Sequence, residues 1–127
     1  MAYVLDTSAL VSFLKDEAEA DQVEALLRQQ DDLLVPFMTL MEIRYVLRRE
    51  YWITRVDQTI ETLRGSGVVI IESNPGWGVV AADVKSRGGL SLADAWIASL
   101  ALMHDAELVH KDPEFDRVEG LRSYRLD

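Results

Sequence analysis

The chain contains no cysteine among its 127 residues. Disulfides, thiolate zinc sites and a cysteine nucleophile are excluded at once. No apolar run approaches the length of a membrane-spanning helix. The opening MAYVLDTSALVSFLK has no basic segment, and Asp6 interrupts its apolar stretch, so it does not read as a secretory signal. A cytoplasmic protein is expected. Basic residues are scarce: 13 Lys and Arg face 22 Asp and Glu, for a net charge of -9. A general nucleic-acid binder would be basic. An enzyme that acts on nucleic acid stays open, because part of the negative charge would be its own site. Glycine-rich phosphate loops are missing after the first strand, which removes dinucleotide and P-loop readings. Ser8 lies in no nucleophile-elbow motif. There is no repeat, linker or low-complexity stretch.

What remains is ordinary globular material, 49% hydrophobic and 28% charged. A single domain over residues 1–127 is expected, long enough for a hydrophobic core. Short apolar runs read as strands at Ala2–Leu5, Leu33–Val35, Val68–Ile71 and Glu107–His110, with an edge strand at Leu121–Leu126. The β-branched run Val68–Ile71 reads as buried. Between the strands, periodic segments read as helices. Thr7 or Ser8 caps the first, Ala9–Leu14, and Glu17–Gln30 forms an amphipathic second. Thr39, with Glu42 three residues later, has the pattern of a capping box. The helix it opens reads as continuous towards Trp52, with apolar residues on two sides, as if packed against both the sheet and a second subunit. Further helices are expected from Thr54 to Arg64, Pro75 to Ser86, and Leu92 to His104 behind a Ser91 cap. Strands alternating with helices predict an α/β protein with a mostly parallel sheet of about five strands.

Four acids stand out in that frame: Asp6, Glu42, Asp94 and Asp112. Each has a structural explanation. Asp6 suits a helix cap, Glu42 the capping box, Asp94 the first helical turn, and Asp112-Pro113 a turn. Their shared place argues for more. Each falls at a strand exit or helix opening, and in an open α/β sheet those points converge at the carboxyl edge. Converging carboxylates repel unless a cation sits among them, and oxygen donors suit Mg2+ or Mn2+. That chemistry points to metal-assisted phosphodiester hydrolysis. By contrast, the acids from Asp16 to Glu24 read as a solvated helix face. Glu114 and Asp116 lie near enough to Asp112 to be accessory ligands or supporting groups, although a surface loop explains both. Lys and Arg residues such as Lys85, Arg87, Lys111 and Arg117 are available to hold a phosphate backbone.

Four stretches together resemble the PIN-domain ribonucleases, and specifically the VapC toxins of VapBC toxin–antitoxin modules: YVLDTSALVSFL at residues 3–14, PFMTLMEIRYVL at 36–47, LSLADAWIASLA at 90–101 and LVHKDPEFDRVEGLR at 108–122. They occur in family order and span nearly the whole chain. The resemblance implies a three-layer α/β/α sandwich. It implies a metal-dependent endoribonuclease using Mg2+ or Mn2+, with Asp6, Glu42, Asp94 and Asp112 as the acidic quartet, leaving 5′-phosphate and 3′-hydroxyl ends. Ser8 matches the small polar residue that supports the first aspartate, and Asp116 is a further supporting candidate. A VapB-type antitoxin and a homodimer are also implied, and the negative net charge suits a basic partner. One position departs: His110 stands where the family usually has Thr or Ser. An imidazole can hydrogen-bond there, but it is larger and titrates near neutral pH.

Other readings fit less well. A PIN-fold binding module would not need all four acids. A haloacid-dehalogenase-type phosphatase would need a second Asp at position 8, where this chain has Ser. A receiver domain would need an acidic pair after the first strand and an aspartate after the third, where Glu72-Ser73 stands.

Overall fold

The computed structural model describes residues 1–29 and 32–126. In chain order the elements are β1 (Ala2–Leu5), α1 (Thr7–Leu14), α2 (Ala20–Arg28), β2 (Asp32–Pro36), α3 (Phe37–Arg48), α4 (Ile53–Arg64), β3 (Val69–Ile71), α5 (Pro75–Ser86), α6 (Leu92–Met103) and β4 (Glu107–His110). A 3-10 turn (Pro113–Arg117) and β5 (Arg122–Arg125) complete the chain. The five strands form one sheet in the order β3-β2-β1-β4-β5. Every pairing is parallel, so the sheet is wholly rather than mostly so.

The period-two alternation of strand side chains divides the core into two layers. Tyr3, Leu5, Leu33, Val35 and Val109 face one side, where they meet α1 to α4. Val4, Leu34 and Leu108 face the other, against α5 and α6. Helices on both faces of a parallel sheet make the expected α/β/α sandwich. The chain leaves β1 for β2 on one side, then crosses to β4 on the other, so strand order reverses between β1 and β4. Ligands bind outside the carboxyl ends of strands at such a switch point. Asp6 and Asp112 follow the two strands that flank it.

Several local expectations change. Asp6, not Thr7 or Ser8, caps α1. Thr39 does not open α3. The helix begins at Phe37 directly after β2, with Pro36 as the cap residue and no side-chain cap. Packing decides this start: Phe37 lies edge-on to Trp77 and Trp96, at 5.5 and 5.3 Å between ring centres. Thr39 is buried one turn in, so no capping box forms with Glu42. The helix stops at Arg48, and Trp52 caps α4 instead of closing α3. The amphipathic second helix is shorter than the pattern suggests, and Gln30, its expected end, lies outside the described residues. Finally, β3 is an edge strand with Val69 exposed; β-branching marks a strand without saying that both its faces are covered.

Candidate metal centre

Asp6 ends β1, and its amide donates to the Val109 carbonyl at 3.0 Å, extending the β1–β4 ladder by one bond. The carboxylate then turns back over the start of α1. Its Oδ2 accepts from Ser8 Oγ at 2.6 Å and from the Ser8 amide at 3.4 Å. Ser8 Oγ in turn accepts from the Lys111 amide at 3.3 Å, tying the exits of β1 and β4 together. Asp6 is only 5% exposed. Burial, and behind it the charge of Asp94, pushes its pKa from 3.8 up to about 7, against the lowering pull of Ser8.

Asp94 stands in the first turn of α6, where its amide donates to Ser91 Oγ at 3.1 Å. Partial burial raises its pKa to about 6, with further contributions from the charges of Asp112, Glu42 and Glu114. Asp6, Glu42, Asp112 and Glu114 each interact electrostatically with Asp94. Glu42 reaches the same edge from the second turn of α3, and its Oε1 accepts from Thr7 Oγ1 at 2.7 Å. This bond, not a capping box, is what holds it.

Asp112 leaves β4 and caps the 3-10 turn, its Oδ1 accepting from the Glu114 amide at 2.9 Å. Asp94, Asp112 and Glu114 each present an oxygen, and these oxygens lie within 4.8 Å of one another. That donor set suits a hard divalent cation. Glu114 is the residue that the sequence favoured as a loop position. Its signal was its place two residues beyond Asp112 across a proline, a spacing that a tight turn folds onto one side. Thr7, next to Asp6, was also missed.

Other expected residues behave differently. Asp116 is exposed and pairs with Arg125 at 3.4 Å, outside the cluster. His110 is fully buried, its Nδ1 accepting from the Asp112 amide at 3.1 Å. Burial pushes the pKa of this imidazole below its ordinary value, which disfavours the charged form. Lys111 turns away from the carboxylates to Ser12 Oγ at 3.1 Å and Glu19 Oε2 at 3.0 Å. Glu19 therefore belongs to an ion pair rather than to a purely solvated face. Arg87 and Arg117 line a cavity of about 460 Å3 with Gly88, Gly89 and Leu90. One wall leads into the Ser91 cap of α6 and the other follows the turn that opens at Asp112. Gly89 has a φ of +88°, and a Cβ there would lie 3.6 Å from Arg117 Cδ, so glycine meets the backbone demand and leaves room for the arginine.

Among the described residues no helix is long and apolar enough to cross a membrane. No curated protein matches the chain in sequence. Solved structures resemble it over nearly its full length. VapBC2 of Rickettsia felis, bound to a promoter DNA fragment, superposes with a TM-score of 0.83 at 19% identity, covering 100% of both chains. VapBC-1 of nontypeable Haemophilus influenzae gives 0.78 at 23%, covering 98% of each. VapC20 of Mycobacterium tuberculosis, a sarcin-ricin loop cleaving toxin, gives 0.74 at 12%, covering 92% of this chain and 95% of that one. At these identities the likeness is one of fold. The family model for the PIN domain matches residues 3–121, nearly every residue from β1 to the threshold of β5, and the chain belongs to the PIN domain family.

Proposed function

We propose that this protein is a metal-dependent endoribonuclease that hydrolyses RNA phosphodiester bonds as the VapC-type toxin of a type II toxin–antitoxin module. The observation that carries the reading is the convergence of Asp94, Asp112 and Glu114 oxygens, with Asp6 and Glu42 linked to Asp94 by charge, at the switch point of a parallel sheet. Asp6, Asp94 and Glu42 would hold Mg2+ or Mn2+ directly or through water, and Asp112 would complete the site, joined by Glu114. When bound, the cation supplies Lewis-acid polarisation of the phosphate and activation of a water. The chain's own contributions are distinct. Ser8 fixes the Asp6 carboxylate, Thr7 fixes Glu42, and a carboxylate of the cluster accepts the proton released by the attacking water. With its substrate RNA, the enzyme acts in the cytoplasm.

The test is cleavage of total RNA with Mn2+ against EDTA. Discrete fragments that require metal support the reading. No cleavage and no metal binding would favour the non-catalytic PIN-fold binding module.

Arg117 makes no ion pair among the described residues, while Arg87 is tied to Asp83 at 2.8 Å. Arg117 is the freer of the two to hold a backbone phosphate. Arg117→Ala is expected to weaken RNA binding by about 5- to 10-fold and to reduce the salt slope by about 0.7, the value of one single-strand phosphate contact. Fluorescence anisotropy against ionic strength measures both, and an unchanged slope removes Arg117 from the RNA path.

A VapB-type antitoxin would use the apolar groove of about 400 Å3 formed by Phe37, Met41, Tyr45, Leu92 and Trp96, with Glu42 at its side. An amphipathic helix seated there would place a basic side chain at the acidic site. A homodimer is proposed through the α3–α4 corner, where Trp52 is 83% and Ile53 58% exposed. Light scattering is expected to show a dimer for the isolated protein and a monomer for Trp52→Glu; a monomeric wild type at micromolar concentration sinks the dimer.

A further inference from the structure

The chain leaves β4 through two successive side-chain-to-amide turns. His110 Nδ1 accepts from the amide of Asp112 at 3.1 Å, and Asp112 Oδ1 accepts from the amide of Glu114 at 2.9 Å. Each links a side chain to the backbone two residues on, a geometry that Asp, Asn, Ser and Thr commonly adopt. Histidine can take this role because its Nδ1 is bonded to Cγ, as many bonds from the backbone as the Oδ1 of Asp or Asn and one more than a Ser or Thr hydroxyl. The two turns bring Asp112 and Glu114 round to Asp94, and these three form the cluster of converging oxygens.

The first turn is held more firmly than the second. The His110 carbonyl accepts from the Leu126 amide at 2.8 Å, and His110 pairs with Arg125 in the β4–β5 register, so its backbone is fixed by the sheet. Its ring meets Phe115 edge-on at 5.0 Å, and both side chains are fully or almost fully buried. The Asp112 amide lies beyond the end of the strand and needs an acceptor. The imidazole supplies it.

We infer that His110 is a positioning residue for the metal centre: through the Asp112 amide it sets where the Asp112 and Glu114 carboxylates stand relative to Asp94. It performs, by a longer reach, the turn that a Ser or Thr hydroxyl would make at this place. The inference rests on the metal-dependent reading above, which assigns those carboxylates their purpose.

The decisive comparison is His110→Thr against His110→Val. The two variants have nearly the same volume, leave the same space beside Phe115 and differ in one acceptor. Mn2+ affinity is measured by calorimetry on each, with the metal-free melting temperature alongside. His110→Val is expected to bind Mn2+ about 10- to 100-fold more weakly than wild type, the usual cost of losing a group that orients a ligand. His110→Thr is expected to stay within about threefold of wild type, although both variants melt at similarly lowered temperatures. His110→Phe keeps a ring against Phe115 without the acceptor, and is expected to follow Val; it repeats the test should the smaller side chains prevent folding. Equal Mn2+ affinity in Thr and Val variants, or a Phe variant that binds like wild type, overturns the inference while leaving the metal reading intact. A wild-type protein that binds no Mn2+ overturns both.

Discussion

Replacing Asp94 by Asn is expected to abolish RNA cleavage and, in the same variant, to raise the melting temperature of the metal-free protein. The two effects share one cause. Asp94 is the residue that feels the other acids, and its pKa of about 6 reflects partial burial together with the charges of Asp112, Glu42 and Glu114. Above pH 7 it is ionised at a cost. Asparagine keeps the volume and leaves the backbone bond to Ser91 in place, so α6 should start where it does now. Removing the charge relieves the repulsion. Asp94 is partly solvated, which screens the gain to about 1 kcal/mol, or roughly 2–5 °C in a domain of this size. The loss of activity should be far larger. Groups that only orient a metal ligand contribute about 10- to 100-fold to affinity or activity, so loss of a ligand should cost at least about 100-fold. Thermal melts in EDTA at pH 7.5 and Mn2+-dependent cleavage of total RNA give the two readings. A lower melting temperature with unchanged cleavage would reduce Asp94 to a structural first-turn acid. Added Mn2+ should raise the melting temperature of wild type and do much less for the variant.

The elements that carry these acids were legible in the sequence to different degrees, for physical reasons. Asp6 and Asp94 stand at boundaries written in local chemistry: an apolar run that ends in a capping residue, and a serine three residues before an acid. Those signals depend on neighbours, so sequence contains them. The sheet's parallel order followed from strands alternating with helices. Glu42 was found on the right helix for a reason that does not hold. Thr39 is buried inside α3 because Phe37 packs between Trp77 and Trp96, and tertiary packing of that kind overrides a capping pattern. The partner that does hold Glu42, Thr7, is 35 residues away, beyond any local pattern. Glu114 was hidden because exposed acids near a proline are common in loops; only the linked turns from His110 through Asp112 bring it to Asp94. His110 itself was expected to titrate near neutrality, and burial, which no single position in a sequence reveals, lowers it instead. The edge position of β3 was hidden likewise, since strand order decides which β-branched run is covered on both faces.

Without metal, Asp6 is expected to cost the protein stability as pH rises from 5 to 8, the opposite of ordinary carboxylate behaviour, while buried His110, with its lowered pKa, works against that loss. Most Asp residues that gain partners on folding have lowered pKa values, and their stabilisation is lost towards acid. Asp6 runs the other way. Its pKa is about 7 in the folded chain against an ordinary 3.8, so the native state keeps a proton that the unfolded chain has released. At this residue the unfolded state binds fewer protons throughout that interval, and its contribution to stability falls with increasing pH until both states are ionised. A shift of that size corresponds to about 4 kcal/mol in full, of which roughly 2–3 kcal/mol lies between pH 5 and 8. Asp94, raised to about 6, adds in the same direction over the lower part of the window. A bound cation reverses the balance, because it requires the ionised carboxylates and displaces their protons. Mn2+ should therefore offset the carboxylates' share of the pH dependence and stabilise most at the alkaline end. Urea unfolding at pH 5 and pH 8, with EDTA or Mn2+, measures all four corners. Asp6→Asn should remove this loss from the metal-free profile, so that stability at pH 8 relative to pH 5 rises by roughly 2–3 kcal/mol against wild type, since an amide at that buried position cannot ionise, and should forfeit most of the stabilisation by Mn2+. An Asp6→Asn profile that runs parallel to wild type in EDTA would mean that Asp6 ionises as readily in the fold as outside it, and that the carboxylates do not oppose one another as their placement requires.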